Sequence, residues 1–144
     1  MRAPIAAAAL AVLALAGCGG GSAGQLSRQD YLNKGDAICR DLAKRARALP
    51  QPTSITSYRD AVRTSVTINE DGLVQFQKLK PPRELQADHE TIVRVFGQAI
   101  ARQRRLIFAK TSPEIAHLNA QLQKTNAKLN AVARRDGFKV CNTT

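Results

Sequence analysis

The stretch Thr111-Ser112-Pro113-Glu114-Ile115, continued by Leu118, Leu122, Thr125, Leu129 and Val132, decides the fold. Ser112 reads as an N-cap, Pro113 as the first helical residue and Glu114 as a first-turn carboxylate. The residues that follow recur at spacings of three and four, which places them on one face of a helix. Asp136-Gly137-Phe138 closes it, with glycine at the C-cap and an apolar residue just beyond. A helix with one apolar face must bury that face, so the rest of the chain has to supply partners.

Three earlier stretches supply them. Helix one is expected from Ser27, with Asp30 three residues on as a capping partner. Its stripe is Leu32, Gly35, Cys39, Leu42, Ala46 and Leu49, ended by Pro50-Gln51-Pro52. Helix two is expected from near Thr56-Ser57, with a stripe of Val62, Val66, Asn69, Leu73, Phe76 and Leu79 that Asn69 and Gly72 weaken in the middle. Pro81-Pro82 stops it and opens helix three, expected over 82–110, with Leu85, His89, Ile92, Phe96, Ala99, Ile100, Gln103 and Leu106 inward. Four amphipathic helices joined by short breaks predict an all-α, up-down-up-down four-helix bundle over 27–144.

Composition agrees. Hydrophobic residues make up 44% of the 144 positions, aromatics only 4%, and there is no Trp. Alanine and leucine are abundant and strand-favouring residues sparse.

Ahead of the bundle, Met1-Arg2 and an apolar run from Ala3 to Ala16 have the length of a signal-peptide core and fall short of a membrane span. Leu15-Ala16-Gly17-Cys18 follows the pattern of a bacterial lipobox. The expected layout is a lipoprotein signal peptide over 1–17, then lipidated Cys18 and a flexible Gly-rich tether over 18–26. The expected location is the outer face of the cytoplasmic membrane or the cell envelope, and the alternative is plain secretion. Cys39 and Cys141 then remain as one pair in an oxidising compartment, where a disulfide is the default. A tail of five extended residues reaches about 15 Å, whereas Cys39 lies roughly 18 Å along helix one. The tail can therefore meet Cys39 only by running back along the bundle.

The sequence carries 22 Lys and Arg against 11 Asp and Glu, a net charge of +11, which falls to +10 without Arg2. In the expected topology the pole away from the tether collects Lys44, Arg45, Arg47, Arg59, Arg63, Arg102, Arg104, Arg105 and Lys110, against Asp41, Asp60 and Glu114. That is a candidate anion-binding surface for a wall polymer, a lipid head group or an acidic protein. Cations at the ends of helices one and three also complement the helix dipoles, a role that Arg59 and Arg63, early in helix two, do not share. Nucleic acid fits poorly, because stacking aromatics are nearly absent.

No catalytic residue, metal ligand or cofactor is assigned. Glu114-x-x-His117 has the spacing of a di-iron bundle ligand pair, but occurs once, and Glu114 is explained by its first-turn position. His89 sits on an apolar stripe and reads as a satisfied, partly buried histidine. Gly-x-Ser-x-Gly is absent, and no glycine-rich phosphate loop precedes a helix.

The chain resembles small alanine-rich actinobacterial lipoproteins and secreted proteins. The matching features are Leu15-Ala16-Gly17-Cys18, Asp36-Ala37-Ile38-Cys39, Leu79-Lys80-Pro81-Pro82-Arg83-Glu84-Leu85 and Gly137-Phe138-Lys139-Val140-Cys141. The resemblance implies an extracytoplasmic helical bundle and no particular activity. The leading expectation is a non-enzymatic, membrane-anchored module that binds an anionic partner through its basic pole. The alternative is a carrier or sensor holding a small apolar molecule between helices, with room left near Asn69 and Gly72. A metalloenzyme is a remote third.

Overall fold

Each expected helix forms, and side chains fix most of the boundaries. The structure, a computed structural model, describes residues 24–142; the leader, the lipobox with Cys18 and most of the tether lie outside the described residues. Ser27 accepts from the Asp30 amide at 3.1 Å and opens α1, Arg28–Arg47. Ser54 opens α2, Ile55–Gln77, in a reciprocal box with Ser57. That start lies ahead of Thr56-Ser57, because a serine three residues on serves as capping partner as well as an acid does.

Pro81-Pro82 breaks the chain. A 3₁₀ turn, Arg83–Leu85, then leads into α3, Gln86–Leu106, so this helix is shorter at both ends than 82–110. Thr111, and not Ser112, caps α4, Ser112–Asp136: its hydroxyl accepts the Glu114 amide at 3.3 Å, and the Glu114 carboxylate accepts the Lys110 amide at 2.8 Å. Gly137, at φ 100°, ends α4 with the left-handed residue that only glycine adopts freely.

The helices run up, down, up and down. Asp71 on α2 meets Arg45 on α1, Asn69 and Glu70 on α2 meet Gln103 and Arg104 on α3, and Arg135 on α4 pairs with Asp88 on α3. The described chain enters at the near pole, where the Leu26 amide donates to the Lys80 carbonyl at 2.9 Å. The far pole carries the α3–α4 turn. Core residues come from every helix, with Phe76 and Phe96 edge to face at a ring separation of 6.2 Å. No described helix is long and apolar enough to cross a membrane.

Neighbours in sequence pack along their lengths, but the outermost pair, α1 and α4, does not. Their link is the tail, which runs back up α1. Arg28 donates to the Asp136 carbonyl at 2.7 Å, Phe138 packs over Gly35, and the Asp36 carboxylate accepts the amides of Lys139, Val140 and Cys141. The Cys39–Cys141 disulfide, with Cα atoms 5.3 Å apart, completes the strap. The α1 stripe is accordingly broader than expected. Tyr31, Asp36 and Ile38 are buried, while Ala46 is exposed.

Candidate ligand cavity

Because α1 and α4 are held apart, their small residues do not fill the space between them. A cavity of about 220 Å³ lies inside the bundle. Ala43 and Ala46 line it from α1, Ala99 from α3 and Ala133 from α4, and the disulfide with Phe138 forms its wall on the tail side. Larger apolar groups, among them Leu42, Phe76, Ile92, Phe96, Leu122 and Leu129, complete most of the lining.

Its polar atoms are few and neutral. Asn69 Nδ2 donates to Gln103 Oε1 at 2.9 Å, and Gln103 Nε2 donates to Ser65 Oγ at 2.8 Å. Asn126 lines the cavity from α4. Asn69 and Gln103 both lie on expected inward stripes, and Asn69 is one of the two positions near which room for a ligand was expected. Of the two weak positions in helix two, only Asn69 borders the cavity. The space beside Gly72 is occupied by Leu42, whose Cδ1 would lie 2.5 Å from a Cβ added there.

Near the entry pole lies a second buried polar group. Tyr31 is fully buried, and its hydroxyl meets His89 Nδ1 at 3.1 Å, so His89 is the satisfied histidine expected from its stripe. Burial lowers the His89 pKa, against a smaller opposing pull from Glu90. Burial, then the Asp136 and Asp88 carboxylates, raise that of Tyr31. Asp136 is 2% exposed, and its Oδ2 has no hydrogen-bond partner among the described residues. Burial and the neighbouring Asp88 push its pKa from the ordinary 3.8 up to about 6, against the pull of Arg135 and Arg28.

The raised Asp136 value has a consequence for stability. The folded protein holds this proton more tightly than the unfolded chain, so stability falls as pH rises from about 4 to about 6. Asp136→Asn is expected to stabilise the protein at pH 7.5 by on the order of 2 kcal/mol, and to have little effect at pH 4, where Asp136 is already protonated. Urea denaturation at the two pH values checks this; an equal effect at both contradicts it.

The nine basic residues do not form one free surface. Arg45 pairs with Asp71 at 2.8 Å, Arg63 with Asp60, and Arg104 with Glu70. Arg59 spends its guanidinium on the Ala109 carbonyl, through Nε at 2.8 Å and through Nη2. Arg102 Nε is buried, and its Nη1 reaches Gln121 at 3.4 Å. Glu70 and Asp71 thus join the three carboxylates counted from sequence, and the cationic excess at the far pole is smaller than nine bases against three acids implies. Lys44, Arg47, Arg105 and Lys110 stay exposed, and Phe108 beside the last two is 75% exposed.

His117, exposed, shares a hydrogen bond with Gln121 at 2.8 Å, and the Glu114 carboxylate is committed to its cap. Among the described residues, no three His, Cys, Asp or Glu side chains are grouped to hold a metal ion. Set against family models, curated proteins and solved structures, the chain matches none.

Proposed function

We propose that this protein is an extracytoplasmic lipoprotein, anchored through Cys18, whose helical bundle carries or senses a small, mainly apolar ligand without transforming it. The observation that supports the reading is the 220 Å³ cavity lined by all four helices and the tail. Well-packed interiors keep few voids larger than a water molecule, and an apolar cavity of about 150 Å³ suffices for a benzene ring. The Gly-rich stretch after Cys18 would let the bundle stand off the bilayer, near pole towards the membrane.

Titration with toluene, followed by NMR, tests this. Shifts are expected for Leu42, Ile92 and Leu122, with saturation. Ala99→Leu, which fills the space from α3, is expected to abolish them while the protein stays folded; Ala43→Leu repeats the test from α1. No saturable shift in the wild type contradicts the reading.

A second reading rests on Phe108. An exposed aromatic flanked by Arg105 and Lys110, two cations that pair with no acid among the described residues, at the pole away from the tether, suits contact with an anionic lipid surface. Untagged soluble domain is expected to sediment with anionic vesicles at low salt and not with zwitterionic ones. Arg105→Glu with Phe108→Ser should remove the binding; binding unchanged by that variant counts against this contact.

A further inference from the structure

The ligand's chemistry can be narrowed, on the reading that the cavity is a binding site. The chain has 22 cationic and 11 acidic side chains, yet among the described residues none of them lines the cavity. A charged head group placed there would lose much of its water and gain no counter-charge. The polar lining consists of amides and a hydroxyl, which pair with neutral donors and acceptors.

Those groups are not spread evenly. Ser65 and Asn69 belong to the first two-thirds of α2, and Gln103 to the last turn of α3. In antiparallel helices this sets them in the half of the cavity towards the far pole. Phe76, Ile92, Ala133 and Phe138 come from the opposite ends of their elements and line the half towards the near pole. The cavity thus has one polar end and one apolar end. At the polar end the relay leaves capacity unused among the described residues. There Gln103 Nε2 retains a second hydrogen, Asn69 Oδ1 accepts no hydrogen bond, and the Asn126 amide makes no side-chain hydrogen bond.

We infer that the cavity takes a neutral amphiphile: a hydroxyl or carbonyl head at Ser65, Asn69 and Gln103, and a hydrocarbon body of about ten non-hydrogen atoms, or the end of a longer one, towards Phe76 and Phe138. Free carboxylates, phosphates and amines are excluded by the uncharged lining. The separation of α1 from α4 gives the route of entry.

Four probes at pH 7.5 test this with the folded 24–144 domain by NMR titration: 1-octanol, octanoate, octylamine and toluene. 1-Octanol is expected to bind roughly tenfold more tightly than octanoate or octylamine, the discrimination given by one unmatched charged head. Gln103→Leu should lose most of the 1-octanol affinity and keep that for toluene. Gln103→Glu, which places a carboxylate at the polar end, should turn the preference towards octylamine. If Gln103→Leu does not fold, Ser65→Ala, lacking only the hydroxyl, should weaken 1-octanol several-fold. Octanoate or octylamine binding as tightly as 1-octanol overturns the inference, as does 1-octanol binding that neither Gln103→Leu nor Ser65→Ala alters. Toluene separates the two levels: if toluene binds and 1-octanol is not preferred, only the head-group assignment falls, whereas if neither binds, the carrier reading falls with it.

Discussion

Replacing both Cys39 and Cys141 by Ala is expected to lower stability by roughly 4–5 kcal/mol, the chain-entropy value for a closed loop of about 100 residues. The sequence separation is 102, so the bond removes more freedom from the unfolded chain than any local crosslink could. Single domains are stable by only about 5–15 kcal/mol. The urea midpoint should therefore fall sharply, and wild-type protein treated with reductant should follow the same curve. Asp36 modulates the result, because its carboxylate holds the same three tail amides. Asp36→Ala added to the cysteine-free protein should cost less than it does alone, since the tail it orders is already partly released. A midpoint within a few tenths molar of wild type would contradict this account of the strap.

Phe138→Ala is the second large effect, expected at about 3–5 kcal/mol for deleting a buried aromatic ring. The ring is 2% exposed and stands edge to face with Tyr31 at 5.5 Å and Phe76 at 6.5 Å. It also explains Gly35: a Cβ there would collide with Phe138 Cε1, so α1 must carry glycine where the tail crosses it. Gly35→Ala alone should destabilise by about 1–3 kcal/mol through overpacking. Combined with Phe138→Ala it should cost much less than the sum, because the obstructing ring is gone. Additive costs would show that the two residues do not share this contact. Phe138 also lines the cavity, so its removal should weaken toluene binding, an effect that a merely global loss of stability would not produce at low temperature.

Much of the bundle was legible because its signals are local. Pro50-Gln51-Pro52, Pro81-Pro82 and Thr111-Ser112-Pro113 mark the breaks, and the three- and four-residue spacings mark the inner faces. The Cys39–Cys141 pairing followed from the compartment expected of the leader together with the count of cysteines. Caps were harder. Ser54 and Ser57, or Thr111 and Ser112, are chemically near-equivalent neighbours, and the choice between them depends on how the preceding loop enters the helix. Asp36 was not recognised as a buried residue because its partners, the amides of Lys139, Val140 and Cys141, lie more than 100 positions away. Tyr31 was missed for a related reason: it completes the α1 face only when Phe138 and His89 come to meet it.

The candidate site divides in the same way. Asn69 stood out as a weak point of the helix-two stripe and does border the cavity, whereas Gln103 lay on the helix-three stripe without being linked to a site. The cavity itself follows from the separation of α1 and α4, which no single stripe encodes. The basic pole looked stronger in sequence than in the fold, because the side chains that neutralise Arg45 and Arg104 sit on a neighbouring helix, and Arg59 is drawn to a backbone carbonyl. Lys44, Arg47, Arg105 and Lys110 remain of that surface.

The cavity as a binding site is the central claim, and crystals soaked in bromobenzene test it most directly. The account predicts an anomalous bromine peak between α1 and α4, within van der Waals contact of Leu42, Phe96 and Leu122. A soaked crystal with no bromine peak, in which Leu42 and Leu122 close on each other across that space, would contradict it.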